Sequence, residues 1–273
     1  MEFTEALREH RTRRHLSQLD LALRAGTSQR YVSFVESGRS RAGRGMVVRL
    51  AESMGLPLRE RNDLLVLAGF APVYPESPLD SAELEPVRAA LEHLLAGHLP
   101  YPAVVVDRYG DLVAANTAFA LITGESSGEP GGQSGSDAYE VAPELLRPPV
   151  NVYRLAPHPQ GIAPRIANFE VWAQHILEGL RRAALADPSP GSRSALLLDE
   201  LAGYVPDRPP GADHLGFAVP LQLRSPVGLL RLLTTVTTFA TAVDVTLAEL
   251  RLEAFLPADA ETAEALALMA KAQ

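Results

Sequence analysis

Residues 16–39 read LSQLDLALRAGTSQRYVSFVESGR, in which two short amphipathic patterns are separated by a glycine. Ser17 is a suitable N-cap for a first helix that ends at Gly26, and Ser28 is a suitable N-cap for a second helix. Because so short a turn fixes two helices at a steep angle, the stretch predicts a helix-turn-helix pair.

The second helix of this pair divides into a polar and an apolar side. At about 100° per residue, its polar positions fall within one arc, which holds Gln29, Arg30, Ser33 and Ser37. The opposite side carries Tyr31 and two valines. A helix that reads base edges in the major groove of DNA needs this division. Gln29 and Arg30 are the predicted base readers, since Gln pairs with adenine and Arg with guanine.

Further residues around the pair suit contacts with the DNA backbone. Gln18 lies in the first turn of the first helix, where the helix dipole favours a contact between its amide and a phosphate. Arg39, Arg41 and Arg44 follow the second helix and are predicted to contact phosphates, and Ser28 completes the DNA-binding set. Helix–glycine–helix pairs also occur in other helical domains, and arginine clusters are often solvated faces, so spacing alone leaves both interpretations open.

The charge distribution favours DNA binding by the N-terminal part alone. Residues 1–70 hold 12 arginines and 8 acidic residues, whereas the remaining residues hold 13 basic and 25 acidic ones. This asymmetry is typical of a basic DNA-binding head on an acidic body. The absence of cysteine excludes disulfides and cysteine-based zinc sites. No apolar run approaches the roughly 18 residues that span a bilayer, so a cytoplasmic protein is expected.

The length of 273 residues predicts two domains. Five helices are expected before residue 69, which makes the first domain all-α. Residues 71–78, APVYPESP, contain three prolines and little that could pack, so they predict a linker. The expected domains are therefore residues 1–78 and 79–273.

The second domain is predicted to be α+β, because helical patterns precede a strand-rich end. Its predicted helices cover residues 81–97, a short stretch from 116, 168–186, 194–204 and a stretch beyond 259. Its predicted strands cover residues 103–107, 111–115, 215–223, 227–238 and 243–254. Residues 124–136, GESSGEPGGQSGS, predict a mobile loop between them.

No recognisable catalytic or metal-binding set is present. Residues 124–128 match the G-x-S-x-G pattern of nucleophilic serines, but they lie in the Gly/Ser-rich stretch and not between a strand and a helix. No Gly-rich phosphate loop ending in lysine occurs, and the histidines are scattered. We therefore expect no enzyme activity and no required cofactor. An enzyme fused to a DNA reader, or a module for dimerisation or partner binding, remain the alternatives for the second domain.

Residues 16–39 closely resemble the Xre/Cro-like helix-turn-helix family. The matching positions are Ser17-Gln18, Ala25-Gly26, Ser28, Tyr31-Val32-Ser33 and Glu36-Ser37-Gly38. The resemblance implies phosphate binding at Gln18 and base reading around Gln29, Arg30 and Ser33.

Residues 102–120, 151–159 and 235–259 resemble the ligand-binding domain of MmyB-like transcriptional regulators. The resemblance implies a PAS-like sheet-and-helix sensor for a fatty-acid-like molecule, attached to an Xre-type reader of double-stranded DNA. A homodimer on a palindromic operator is also expected, because two-fold readers bind half-sites about 34–36 Å apart. The residues predicted to contact the ligand are Asn116, Tyr153, Arg154, Trp172 and His175. Trp172 and His175 share a helix face of a kind that is more often ordinary core than a binding site, and Tyr153 and Arg154 equally suit a surface.

Overall fold

The computed structural model describes residues 1–124, 141–186, 191–206, 218–239 and 241–271. The chain forms two compact units. The first unit comprises Met1–Leu84 and Phe239–Glu249, and the second comprises Glu85–Thr238 and Leu250–Gln273. The first unit therefore contains a short segment that comes from the C-terminal part of the sequence.

The N-terminal part of the first unit is all-α, as predicted. Its five helices are α1 (Phe3–Arg13), α2 (Gln18–Arg24), α3 (Gln29–Glu36), α4 (Arg44–Ser53) and α5 (Leu58–Leu67). They enclose a core of fully buried side chains that includes Leu7, Leu21, Leu50 and Leu64. Amphipathic helices of this length gain most of their stability from burying such a shared apolar face.

The residues predicted to cap α2 and α3 form local hydrogen bonds at the N-termini of these helices. The Ser17 hydroxyl accepts from the backbone N–H of Asp20, and the Asp20 carboxylate accepts from the backbone N–H of Ser17, which forms a capping box. The Ser28 hydroxyl accepts from the backbone N–H of Tyr31. Gly26 adopts a φ of +62°, which a residue without a side chain adopts without strain. These contacts set the turn between α2 and α3.

Residues 71–77, which were predicted to be part of a linker with little packing, form specific hydrogen bonds within the first unit. The buried side chain of Asn62 accepts hydrogen bonds from the backbone N–H groups of Val73 and Tyr74 and donates to the carbonyl of Tyr74. The Tyr74 ring also lies under the guanidinium of Arg61, at 5.5 Å. Residues 71–78 themselves carry no sign of this packing, because the partner, Asn62, lies outside them.

The second unit is α+β, as predicted, and is built on one antiparallel sheet. The strands are β1 (Ala103–Val106), β2 (Leu112–Ala115), β3 (Leu221–Ser225), β4 (Gly228–Thr238) and β5 (Arg251–Pro257), in the order β2-β1-β5-β4-β3. The α-helices of the chain after α5 are α6 (Glu85–Ala96), α7 (Ala120–Thr123), α8 (Val152–Leu155), α9 (Phe169–Ala186), α10 (Arg193–Ala202), α11 (Val245–Ala248) and α12 (Ala260–Lys271). Of these, α11 belongs to the first unit.

Strand register determines which side chains share a face of the sheet. Val104 lies opposite Glu253, and Glu253 lies opposite Val236, so these three side chains point to the same side. That side packs against helices through an apolar core that includes Phe255 and Trp172. A carboxylate therefore occupies a core-facing position in a central strand.

Two predicted segments differ from the structure. Residues 243–254 were expected to form one strand, but Val245–Ala248 is the short helix α11, and β5 begins only at Arg251. The Asp244 side chain accepts from the backbone N–H groups of Thr246 and Leu247, and this cap favours a helical turn over the strand tendency of the valines. The strand predicted at 215–223 begins at Leu221.

Some predictions fall outside the described residues. They concern residues 125–136 of the predicted mobile loop, most of the G-x-S-x-G match, and residues 215–217. Within the described ranges, no helix is both long enough and apolar enough to span a membrane.

Candidate nucleic-acid interface and ligand-binding domain

Helix α3 presents its polar residues outward and buries its apolar ones. The side chains of Gln29 and Arg30 are exposed and that of Ser33 is half-buried, whereas Val32 and Val35 are fully buried. The Arg30 guanidinium lies over the ring of Phe34 at 5.1 Å, which limits its orientations. The donors predicted to read bases are thus accessible on a helix whose other side is fixed in the core.

The C-terminal end of α3 is anchored by a buried carboxylate. Glu36 accepts from Arg11 Nε at 2.6 Å and Nη2 at 3.0 Å, which forms a two-point ion pair between α1 and α3. Hydrogen bonding to Glu36 raises the pKa of Arg11. Gln18 Nε2 also donates to Glu36, at 2.8 Å. Glu36 therefore joins three helices at one point.

Gln18 has a protein partner as well as its predicted phosphate contact. Its amide is oriented by Glu36, and an NH₂ group carries two hydrogens, of which this bond uses one. Ser28 and Ser37 also have structural roles, since Ser28 caps α3 and the Ser37 hydroxyl donates to the carbonyl of Phe34. Their phosphate and base contacts stay predictions.

The arginines of the first unit differ in whether they form ion pairs with acidic residues. Arg11, Arg14 and Arg59 form ion pairs with glutamates. In contrast, the arginines predicted to contact DNA are exposed and form no ion pair with an acidic residue in the described part of the chain, namely Arg30, Arg39, Arg41 and Arg44. The exposed Arg8, Arg24 and Arg49 share this property, so it does not single out the predicted set. Unpaired guanidinium groups keep their full charge available for an anionic partner.

In the second unit, Tyr153 and Glu253 form a polar pair at the sheet. The Tyr153 hydroxyl donates to Glu253 Oε1 at 2.9 Å. Burial raises the pKa of Glu253, although the bond from Tyr153 opposes that shift. Burial and the neighbouring carboxylate raise the pKa of Tyr153. The aromatic ring of Tyr153 lies against Gly110, where a larger residue would clash.

Asn116 and Arg154 already have protein partners. The Asn116 oxygen accepts from the backbone N–H of Ala103, and its amide donates to the carbonyls of Leu95 and Tyr101. Arg154 forms a two-point ion pair with Glu200, with both distances 2.8 Å. These contacts give Asn116 and Arg154 structural roles, and their predicted ligand contacts stay untested.

Trp172 and His175 lie together on α9. Their rings meet edge to face, with centroids 4.7 Å apart and planes at 76°. Trp172 is only 5% exposed, and its indole Nε1 has no hydrogen-bond partner within the described residues. A buried donor without an acceptor costs about 1–3 kcal/mol. Among the predicted ligand contacts, Trp172 therefore has a buried N–H donor that lacks an acceptor in the described part of the chain.

Two buried glutamates, Glu36 and Glu253, were not among the predicted site residues. Glu36 was quoted only as part of the family pattern, and Glu253 was not singled out. A signal for Glu253 did exist, because residues 250–256, LRLEAFL, place one acid within an apolar strand. A charge in such a position requires a partner. No group of His, Cys, Asp or Glu able to hold a metal occurs in the ranges that the structure describes.

A helix-turn-helix unit with an accessible polar helix, joined to an α+β unit, defines a two-domain transcription regulator. A family model described as helix-turn-helix matches residues 7–61. A model described as the MmyB-like transcription regulator ligand binding domain matches residues 87–269, and the chain belongs to this family. Both resemblances noted in the sequence are thereby confirmed. A search of curated proteins found no match.

Proposed function

We propose that this protein is a sequence-specific, homodimeric regulator that binds a palindromic DNA operator and responds to a fatty-acid-like amphiphile. Its DNA-binding part would place α3 in the major groove. One observation carries the proposal: Gln29 and Arg30 are exposed and free of acidic partners on a helix that the buried Glu36 anchors. A regulator that binds DNA works where the DNA is, so we place it in the cytoplasm.

We propose two-fold symmetry because the reading surface of one chain is small. A single helix of this length reads only a few base pairs, whereas two copies reach half-sites about 34–36 Å apart along the duplex. A ligand that alters this spacing can switch affinity, provided that it binds the two states differently. Sedimentation of the full chain tests dimerisation, and a monomer at every concentration and on operator DNA would contradict it.

Selection of DNA from a random pool tests base reading. The wild-type chain should enrich one palindromic sequence. Gln29→Ala and Arg30→Ala should each relax the preference at one position of each half-site, at a cost of about 1–3 kcal/mol. Arg13→Ala is the matched control, because Arg13 is an exposed arginine of α1 that pairs with Glu9. An unchanged consensus in both α3 variants would show that α3 does not read bases.

The amphiphile is proposed on the basis of Trp172. Its buried indole N–H lacks an acceptor among the described residues and lies in a core of leucines, isoleucines and valines. A molecule with one oxygen-bearing end and an apolar body would satisfy the donor and remain in apolar surroundings. A carboxylate accepts more strongly than a neutral ester, since its charge strengthens the bond.

Oleic acid and methyl oleate provide a matched pair of probes for this site. Native mass spectrometry of the full chain should show about one oleate per chain, and oleate should raise the melting temperature more than the ester does. Trp172→Phe should remove that difference, whereas Tyr153→Phe should keep it because the Tyr153 hydroxyl already donates to Glu253. If neither probe binds, the second unit is better explained as an assembly module, and the DNA-binding proposal is unaffected.

A further inference from the structure

The connection between β4 and β5 is much longer than the sheet requires. Thr238 and Arg251 are register partners, so the two strands separate and rejoin at the same point of the sheet. A hairpin turn there needs only about two to five residues. Instead the chain inserts a segment that belongs to the first unit. We call its residues 241–249 the β4–β5 insertion.

Specific hydrogen bonds hold the β4–β5 insertion within the first unit. The carboxylate of Asp244, which is buried, accepts from the backbone N–H of Ser77 at 3.1 Å. The backbone N–H of Val245 donates to the carbonyl of Pro75 at 2.8 Å. Asp244 also caps α11, so one side chain both shapes the insertion and attaches it. The insertion is therefore attached through specific hydrogen bonds, one of which is made by a buried carboxylate.

An ion pair attaches the insertion directly to α5. Glu249 Oε1 lies 2.7 Å from Arg59 Nε, and Glu249 Oε2 lies 2.9 Å from Arg59 Nη2. Arg59 also pairs with Glu76, whose side chain is more exposed than that of Glu249. A two-point pair between Arg and a carboxylate fixes orientation as well as distance. Movement of Glu249 is therefore resisted by α5.

Ion pairs continue from α5 to the helix that carries the predicted base readers. Glu60, the next residue of α5, pairs with Arg14, the C-cap of α1, at 3.2 Å. One turn earlier on α1, Arg11 forms the buried pair with Glu36 of α3. Successive pairs thus link the insertion to α5, α5 to α1, and α1 to α3.

We propose that the β4–β5 insertion is the regulatory element through which the sheet of the ligand-binding unit controls the DNA-binding helix. The chain on either side of the insertion belongs to the paired strands β4 and β5. A change in the pairing of these strands therefore changes the positions of both ends of the insertion. The change then reaches α3 through three ion pairs in turn: insertion to α5, α5 to the end of α1, and α1 to α3. This inference rests on the proposed function, since it assigns regulation to the same DNA-binding surface.

A double-mutant cycle on the full chain measures this coupling without DNA or ligand. Phe255→Leu loosens the core at β5, and Leu232→Val does so at β4 if the first variant fails to fold. Hydrogen exchange of the α5 amides is the readout. With the anchor intact, loosening the sheet should raise α5 exchange about threefold or more.

Glu249→Gln and Glu76→Gln form the matched pair of anchor variants, since both remove a glutamate partner of Arg59. In Glu249→Gln, the response of α5 to the sheet substitution should fall to within about 1.5-fold of no change, whereas Glu76→Gln should retain it. A response that is absent in the wild-type background, or equal in both anchor variants, would overturn the proposal. Either result leaves the DNA selection experiment unaffected, so failure of the coupling is distinguishable from failure of DNA binding.

Discussion

Arg11 and Glu36 form a two-point ion pair across the first unit, with Arg11 Nε 2.6 Å from Oε1 and Nη2 3.0 Å from Oε2. The Glu36 side chain is almost completely buried. Taking away one partner of such a pair leaves an uncompensated charge in the core. The orientation of α3 therefore depends on a contact made by a different helix.

Glu36→Gln should destabilise the first unit by about 3 kcal/mol, because the partly buried guanidinium of Arg11 loses its counter-charge. Urea denaturation followed by circular dichroism at the helical transition measures the change. Glu9→Gln removes an exposed ion pair with Arg13 and should cost less than about 1 kcal/mol. Equal effects in the two variants would refute the anchoring role.

Arg39→Ala, Arg41→Ala and Arg44→Ala should each weaken DNA binding similarly on all sequences. Each predicted phosphate contact that is lost should reduce the slope of log affinity against log salt by about 0.9. Fluorescence anisotropy at several salt concentrations gives this slope, with Arg13→Ala as the control. If the slopes match that of the wild-type chain, these arginines are a solvated face.

Glu253 should make stability depend on pH. Its pKa is raised by burial above the ordinary value of 4.5, so its stabilising contribution is complete below that value and is lost as pH rises through the folded-state pKa. Glu253→Gln removes the titration, and its melting temperature relative to wild type should increase from about pH 4 to about pH 8. A constant difference in melting temperature between Glu253→Gln and the wild-type chain over this pH range would contradict the assigned shift.

Asn116→Ala should lower stability by about 2 kcal/mol or more, because it removes the side-chain partner of the Ala103 N–H and of the Tyr101 carbonyl. The Leu95 carbonyl loses one hydrogen bond but still accepts from the backbone N–H of His98. Thermal unfolding of the ligand-free chain measures this, and the exposed neighbour Thr117→Ala is the control. A variant as stable as wild type that binds oleate more weakly would instead support the ligand contact predicted from the sequence.

Local signals made the first unit predictable. Ser17 and Ser28 cap helices through their own neighbours, and Gly26 supplies the turn, so no distant residue is needed to place α2 and α3. The strands predicted at residues 103–107 and 111–115 are likewise present as β1 and β2, which pair antiparallel across a turn at Gly110. The prediction failed at residues 243–250, where strand propensity was outweighed by the cap from Asp244.

The sequence by itself determined the two-domain plan, the helix-turn-helix pair and the polar arc of α3, because these depend on residues a few positions apart. Only the tertiary structure decided the partners of the buried acids. Glu36 meets Arg11 across 25 positions, and Glu253 meets Tyr153 across 100. Such pairs form because burial of the shared apolar faces brings distant segments together, and each buried charge then requires whichever partner that packing supplies. Spacing along the chain carries no record of that choice.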